Sequence, residues 1–443
     1  MFACVLSAFA VAGCDSSRKE NPPAENEKTS VLDSEVGRVF LVCIDGATWD
    51  IIDPLLEKGQ LPNFQELIAA GQRGTLKSLM PSRSSRIWTS VATGVAPEKH
   101  GILDFVYEKD SKRHLYTSEM IRVPTLWDIA SANGIPVGVT NYWFTYPAWP
   151  IKGFVISDHT IPSRSERLIA FFSKNESPAA DPEHLVYPPK LWDRIKPLLE
   201  ATPIVSPDTE VDSPTAINYK NMTYRIYNIE AEDKLVIDMA IVADREFTPQ
   251  LMAVYLKGID RASHWFWRFF HPDDPNYEFE RQNARQIKLY EDVIPKVYRQ
   301  TDALLGKLRA RLNPDDVIIV VSDHGFQSIP LRGNISGSHG DSPKSVDGIY
   351  LIAGGPTRKS TRGPALSLFD IAPTVLHLLG LPVPRYMQGK VADAVFDSQF
   401  MERQPVRFVD AYNLADRPRS DAPGEVPLES ERINELKALG YLK

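Results

Sequence analysis

"VIIVVSDHGF", residues 317–326, runs five aliphatic residues straight into a serine, an aspartate, a histidine and a glycine. A short unbroken apolar run closed by turn residues reads as a strand buried on both faces. Such strands belong to mostly parallel sheets with helices on either side, and their chemistry gathers beyond the carboxyl ends of the strands. Asp323 and His324 stand at that end. Working outward, "RVFLVCI" at 38–44 repeats the pattern and is followed by Asp45, while residues 51–71 read as helix. Further runs occur at 135–140, 251–256 and 349–353, with helical patterns between several of them, notably at 291–312. The fold expected is α/β: a three-layer αβα sandwich with a mostly parallel central sheet. Residues 161–247 carry many prolines, helical fragments and charges without a buried-strand run, and read as a cap or insertion. The core is then 38–160 with 248–400, and 401–443 form a C-terminal tail.

Chemistry-bearing residues follow these runs. "AVYLKGIDRASHWFW" adds Asp260 and His264, and the loop "ISGSHGDSP" adds His339. Singly, each has an ordinary reading: an aspartate after a strand is commonly a helix cap or turn residue, and a histidine among aromatics is commonly packed. Together, three of the chain's nine histidines and three aspartates fall at one edge of the expected sheet. Six oxygen and nitrogen donors suit two divalent ions, zinc or manganese rather than calcium or iron–sulfur. Ser84 or Ser85 precedes the helical run "RIWTSVATG", and a serine at a helix N-terminus beside a cation is placed as a nucleophile. In isolation the same serine is a routine N-cap. Trp143, Phe144, Tyr146 and Trp149, with Trp265 and Trp267, read as core or as the lining of an apolar or sugar pocket.

The chain has 443 residues, 43% hydrophobic and 24% charged, with formal net charge −7. That allows one large domain or two, and without a long basic run there is no footprint for nucleic acid. Residues 1–14, "MFACVLSAFAVAGC", are apolar and too short to span a bilayer, and end in a small-residue processing site at Cys14. They resemble a bacterial lipobox, which implies a lipidated Cys14, a membrane anchor and an extracytoplasmic location. Asp15 resembles a signal for retention at the inner membrane. Residues 15–37 read as a flexible tether. Of three cysteines only Cys43 would remain free, inside an apolar run, so the mature chain has no internal disulfide.

The segments "VCIDGATWDIIDPLLEKGQLPNFQELIAAGQRG", "WTSVATGVAPEKHGI", "KGIDRASHWFW", "VVSDHGF", "GSHG" and "LFDIAPTVLHLLGLPVP" occur in this order. On these the chain resembles the alkaline phosphatase superfamily, in its type I phosphodiesterase/nucleotide pyrophosphatase branch. The resemblance implies one metal on Asp45, Asp323 and His324, shared with the nucleophile, and a second on Asp260, His264 and His339. It places the nucleophile at Ser84, ten residues before Gly94, and leaves Arg86, two residues on, either as a bidentate donor to a non-bridging phosphate oxygen or as a solvent-facing helix residue. It further implies a phosphoric ester hydrolase acting on a small-molecule phosphate ester through a phosphoseryl intermediate. Three departures bear on specificity. Phe105 stands where nucleotide pyrophosphatases carry an asparagine that contacts the phosphoryl group. Leu79 stands where a sulfatase needs an oxidisable Cys or Ser, and leucine cannot be converted to an aldehyde hydrate. The serine motif of the cofactor-independent phosphoglycerate mutases is not found. Transfer to a lipid or glycan instead of water, sulfatase-like hydrolysis, and a non-catalytic binding lipoprotein stand as the alternatives.

Overall fold

The structure is a computed structural model that describes residues 34–412 and 414, apart from 110, 162–181, 203–219, 281, 333–334, 340–344 and 361. The expected signal segment, most of the tether, much of the expected insertion and the end of the tail lie outside the described residues. Among the described residues no helix is long and apolar enough to cross a membrane.

Nine strands form the central sheet: β1 (Val39–Ile44), β2 (Gly71–Lys77), β3 (Val137–Thr140), β4 (Gly153–Ile156), β5 (Val186–Tyr187), β6 (Leu251–Leu256), β7 (Val317–Val321), β8 (Gly348–Gly354) and β9 (Leu366–Ser367). Their spatial order is β9-β2-β8-β7-β1-β6-β3-β4-β5. The block β7-β1-β6-β3-β4 is parallel throughout, whereas β8 runs antiparallel to both β7 and β2. β1 is the middle strand of the nine. Phe40, Val42 and Ile44 point into one apolar layer, while Val39, Leu41 and Cys43 point into the other. This two-sided burial explains an unbroken apolar run where a half-exposed strand would alternate, and each fully buried aliphatic side chain contributes roughly 1.5–3 kcal/mol.

Five helices matter below: α1 (Trp49–Glu57), α2 (Ser84–Thr93), α3 (Lys220–Phe247), α4 (Gly258–Phe270) and α5 (Val293–Arg309). Thr48 caps α1, accepting the Asp50 amide on its hydroxyl. α3 corrects the sequence reading. It falls within the expected cap, yet it buries Leu235, Val236, Met239, Ala240 and Ala243 in the same layer as β6 and β1, so it is part of the sandwich. Its buried Asp244 is ion-paired with Arg38 before β1 and with Arg311 after α5. β5 likewise extends the sheet from within the expected insertion. The charged outer face of a 28-residue helix dilutes its apolar stripe, and a search for buried strands passes over it.

Candidate functional site

Sheet register builds the first half of the site. Cys43 on β1 lies opposite Val321 on β7, and Asp45 and Asp323 each follow two residues later. Their carboxylates therefore emerge side by side at the carboxyl edge. The turn after Asp45 must also let α4 come close: Gly46 has φ +73°, and a Cβ there would meet the Phe326 ring and the Asp260 backbone. Asp45, Asp323 and His324 offer ligand atoms that all lie within 4.8 Å of one another, and all three residues are buried. His324 Nε2 is 3.1 Å from Asp45 Oδ1 and 3.3 Å from Asp323 Oδ2.

The second half comes from α4 and a hairpin. Asp260 and His264 stand one turn apart on α4, so both project from one face. The hairpin Gln327–Arg332/Ile335–Ser338 carries His339 back to them. Here too a glycine permits the approach, since a Cβ at Gly337 would meet the Ser263 carbonyl oxygen at 2.4 Å. Asp260 Oδ1 lies 3.4 Å from His264 Nε2 and 3.6 Å from His339 Nε2. The halves adjoin: the rings of His324 and His339 stack at 3.6 Å between centroids, and Asp260 Oδ1 is 4.0 Å from His324 Nε2.

All three histidines are oriented in one way. His264 Nδ1 donates to the Gly337 carbonyl at 2.9 Å, His324 Nδ1 to that of Gly325 at 3.1 Å, and His339 Nδ1 to that of Ser82 at 2.7 Å. A carbonyl only accepts, so each Nδ1 carries a proton and each ring turns Nε2 inward, the atom that can offer a lone pair to a metal once it is free of a proton. This is the arrangement by which metal-binding histidines are held.

Ser84 opens α2 and is fully buried. Its Oγ lies 3.4 Å from Asp45 Oδ1 and 3.3 Å from His324 Nε2, so of the two candidate serines it is Ser84 that the fold brings to the first cluster. Arg86, two residues on, is placed with Nη2 3.5 Å from Oε1 of the exposed Glu98, and its buried Nε has no hydrogen-bond partner among the described residues. Phe105 is buried against Trp143, with ring centroids 4.8 Å apart. Phe144, Tyr146, Trp149, Trp265 and Trp267 are buried core, while Trp143 is half-buried.

Two residues that the sequence reading leaves out touch Asp45. Trp88 Nε1 donates to Asp45 Oδ2 at 3.3 Å, and the Tyr255 hydroxyl donates to the same oxygen. Trp88 lies one turn after Ser84 and Tyr255 one position before the end of β6. Both read as ordinary core residues, and nothing local in the sequence distinguishes them.

The charges explain what such a site is suited to hold. Burial drives the Asp323 carboxyl well above the usual carboxylate range, and the facing Asp45 carboxylate adds to it. At Asp45 burial acts the same way, but hydrogen bonding to His324 and Tyr255 outweighs it and holds the group low. His324 is pushed down by burial and up by Asp323 and Asp45, reaching about 9. His339 is held well below its ordinary value by burial and by His324 beside it. Among the described residues His324 is the one cationic partner within 4.0 Å of Asp45 or Asp323. Facing buried carboxylates with one shared cation are costly. Divalent ions would offset that cost, and two adjacent sets of carboxylate and imidazole donors fit such ions.

The sequence model of the type I phosphodiesterase / nucleotide pyrophosphatase family matches residues 39–340, more than half of the chain. Among solved structures, a mutant of alkaline phosphatase PafA aligns at 13% identity with a TM-score of 0.51, covering 83% of this chain and all of that one, and shows the shared α/β fold. Murine ectonucleotide pyrophosphatase / phosphodiesterase 5 aligns at 15% identity and TM-score 0.48, covering 81% of this chain and all of that one. Phosphonoacetate hydrolase from Sinorhizobium meliloti 1021 aligns at 19% identity and TM-score 0.39 over 67% of this chain, and the match spans 57% of the hydrolase.

Proposed function

The chain belongs to the type I phosphodiesterase/nucleotide pyrophosphatase family, and from that premise we propose that it hydrolyses a phosphoric ester with Ser84 as nucleophile. The observation that carries the reading is the position of Ser84 Oγ, at a helix N-terminus and within 3.4 Å of both Asp45 Oδ1 and His324 Nε2. Two divalent ions, zinc or manganese, one on Asp45, Asp323 and His324 and one on Asp260, His264 and His339, would lower the acidity threshold of the attacking hydroxyl and screen phosphoryl charge.

The rest belongs to the chain. Asp45 Oδ1 is the acceptor toward which the Ser84 proton leaves. A bond forms from Ser84 Oγ to phosphorus as the bond from phosphorus to the leaving oxygen breaks, and that oxygen takes up a proton from water. The hydroxide left by that water then attacks phosphorus, the Oγ–P bond breaks, and Oγ takes back the proton held on Asp45. Burial of Ser84, Asp45 and Asp323 excludes bulk water, which strengthens each interaction with the developing charge. Arg86, with Nε unpaired, would pair with a non-bridging phosphoryl oxygen. Phe105 offers that oxygen no hydrogen bond, which weighs against a nucleotide diester as the preferred substrate.

The deciding experiment is turnover of activated phosphomonoesters, phosphodiesters and sulfate esters with each metal, for the native protein and Ser84→Ala. Phosphoric ester turnover lost in the variant supports the reading. Equal rates in both proteins would remove Ser84 from it. We further propose that the enzyme works outside the cytoplasm on a lipid attached to Cys14. Metabolic labelling with a fatty acid, absent in Cys14→Ala, tests this.

A further inference from the structure

The loop after β3 reaches the first cluster by a route the proposed mechanism does not use. Trp143 Nε1 lies 2.7 Å from the Tyr255 hydroxyl oxygen, and that hydroxyl meets Asp45 Oδ2. An indole N–H can only donate, so it occupies an acceptor position on the phenol oxygen. The single phenolic proton is then directed to Asp45. Oδ2 also receives Trp88 Nε1, which leaves Oδ1 as the oxygen facing Ser84 and His324.

Trp143 is held in place by a strained stretch of backbone. Asn141 and Phe144 have φ of +59° and +60°, and for phenylalanine that conformation is strongly disfavoured. The surroundings over-determine it. Asn141 Nδ2 donates to the Tyr255 carbonyl at 3.1 Å, and the Asp158 carboxylate accepts the amides of Phe144 and Thr145 at 3.0 and 3.2 Å. Phe105 closes the other side of the indole. Strain of this kind persists where a structure needs one side chain in one place. Here that side chain ends on the oxygen of Tyr255.

We propose that Trp143 and Tyr255 are positioning residues, acting in series to turn the Asp45 carboxylate so that Oδ1 faces the nucleophile and the first metal. This rests on the metal reading above. Neither residue touches substrate in this account; Trp143 acts through Tyr255, and Tyr255 acts through Asp45.

The test is titration of the metal-free, full-length protein with zinc against a competing chelator, together with the visible absorption of the cobalt(II)-loaded protein. Tyr255→Phe keeps the ring and loses the hydroxyl. It is expected to weaken one of two binding equivalents about 10- to 100-fold, the range for losing an outer partner of a ligand, and to alter the cobalt spectrum of that equivalent alone. Trp143→Phe, a change at a half-buried loop residue, should weaken the same equivalent less. In the Tyr255→Phe background it should have no further effect, because its path is already cut. Native protein that binds two equivalents, with both variants matching it in affinity and spectrum, would overturn this inference alone. Equal loss of both equivalents in Tyr255→Phe, or additive losses in the double variant, would also overturn it. Native protein that binds no divalent ion would overturn the proposed function together with it.

Discussion

The two candidate metal clusters are built by different means. Asp45 and Asp323 stand two residues beyond an in-register pair on neighbouring parallel strands, so the ladder of β1 and β7 sets their spacing. The second cluster has no shared ladder. Asp260 and His264 share a helix face, and His339 arrives on a hairpin held by side-chain bonds to distant carbonyls, from His264 to Gly337 and from His339 to Ser82. Backbone register therefore places the first cluster, and long-range side-chain bonds assemble the second. Charge separates them too, since His324 shares its proton with two carboxylates while its neighbour His339 is held neutral.

The largest expected effect separates nucleophile from scaffold. Ser84 hydrogen-bonds to the first cluster as the nucleophile and not as a member of either ligand triad, so Ser84→Ala should lower turnover by at least about 1,000-fold while the protein still binds both metals. Turnover and metal content measured on one preparation check both halves. Next, His324→Ala and His339→Ala should each weaken one binding equivalent by more than about 100-fold and spare the other. If either variant lost both equivalents, the clusters would be one unit and the comparison would fail. The pH dependence should also differ. A proton on His324, held at about 9, must leave before a metal binds, so affinity at the first cluster should fall by up to about tenfold per unit as pH drops below 9. At the second cluster burial and His324 hold His339 neutral, so it presents no such proton to displace. Zinc titrations at pH 6 and pH 8 would show one equivalent moving more than the other.

A separate effect, on stability rather than on metal binding or turnover, concerns the helix beneath the second cluster. Asp233 on α3 accepts the amides of Lys257 and Gly258 at 3.2 and 3.0 Å, where α4 begins. Burial, together with Glu232 beside it, raises its carboxyl from 3.8 to about 7 despite those bonds. The folded protein thus keeps a proton that the unfolded chain has lost between these values. That contribution to stability is complete below pH 3.8 and is lost as pH rises to 7, a change on the order of 4 kcal/mol. Asp233→Asn removes it. Thermal unfolding of the variant should fall less than that of the native protein between pH 4.5 and 7.5, and an unchanged difference would show that Asp233 does not hold its proton.

Much of the sheet was legible because burial on both faces leaves a local mark. The runs at 38–44, 251–256 and 317–321 each became a central strand, and Asp45, Asp260, Asp323 and His324 followed them. The helix at 220–247 was not legible as part of the sandwich. Its buried positions are spread among charges over 28 residues, and its partners lie on strands far away in sequence. Phe144 and Tyr146, open to a pocket reading in sequence, are core.

By itself the sequence determined which chemistry was available: three aspartates, three histidines and a serine, placed after apolar runs or before a helix. Only the tertiary structure decided which oxygen of Asp45 faces Ser84, which nitrogen of each histidine points inward, and that Trp143 and Tyr255 stand behind the first cluster. The reason is physical. Apolar periodicity follows from burial of a strand or helix and repeats along the chain. The direction of a hydrogen bond between residues more than a hundred positions apart follows from strand order and register, which no local pattern records.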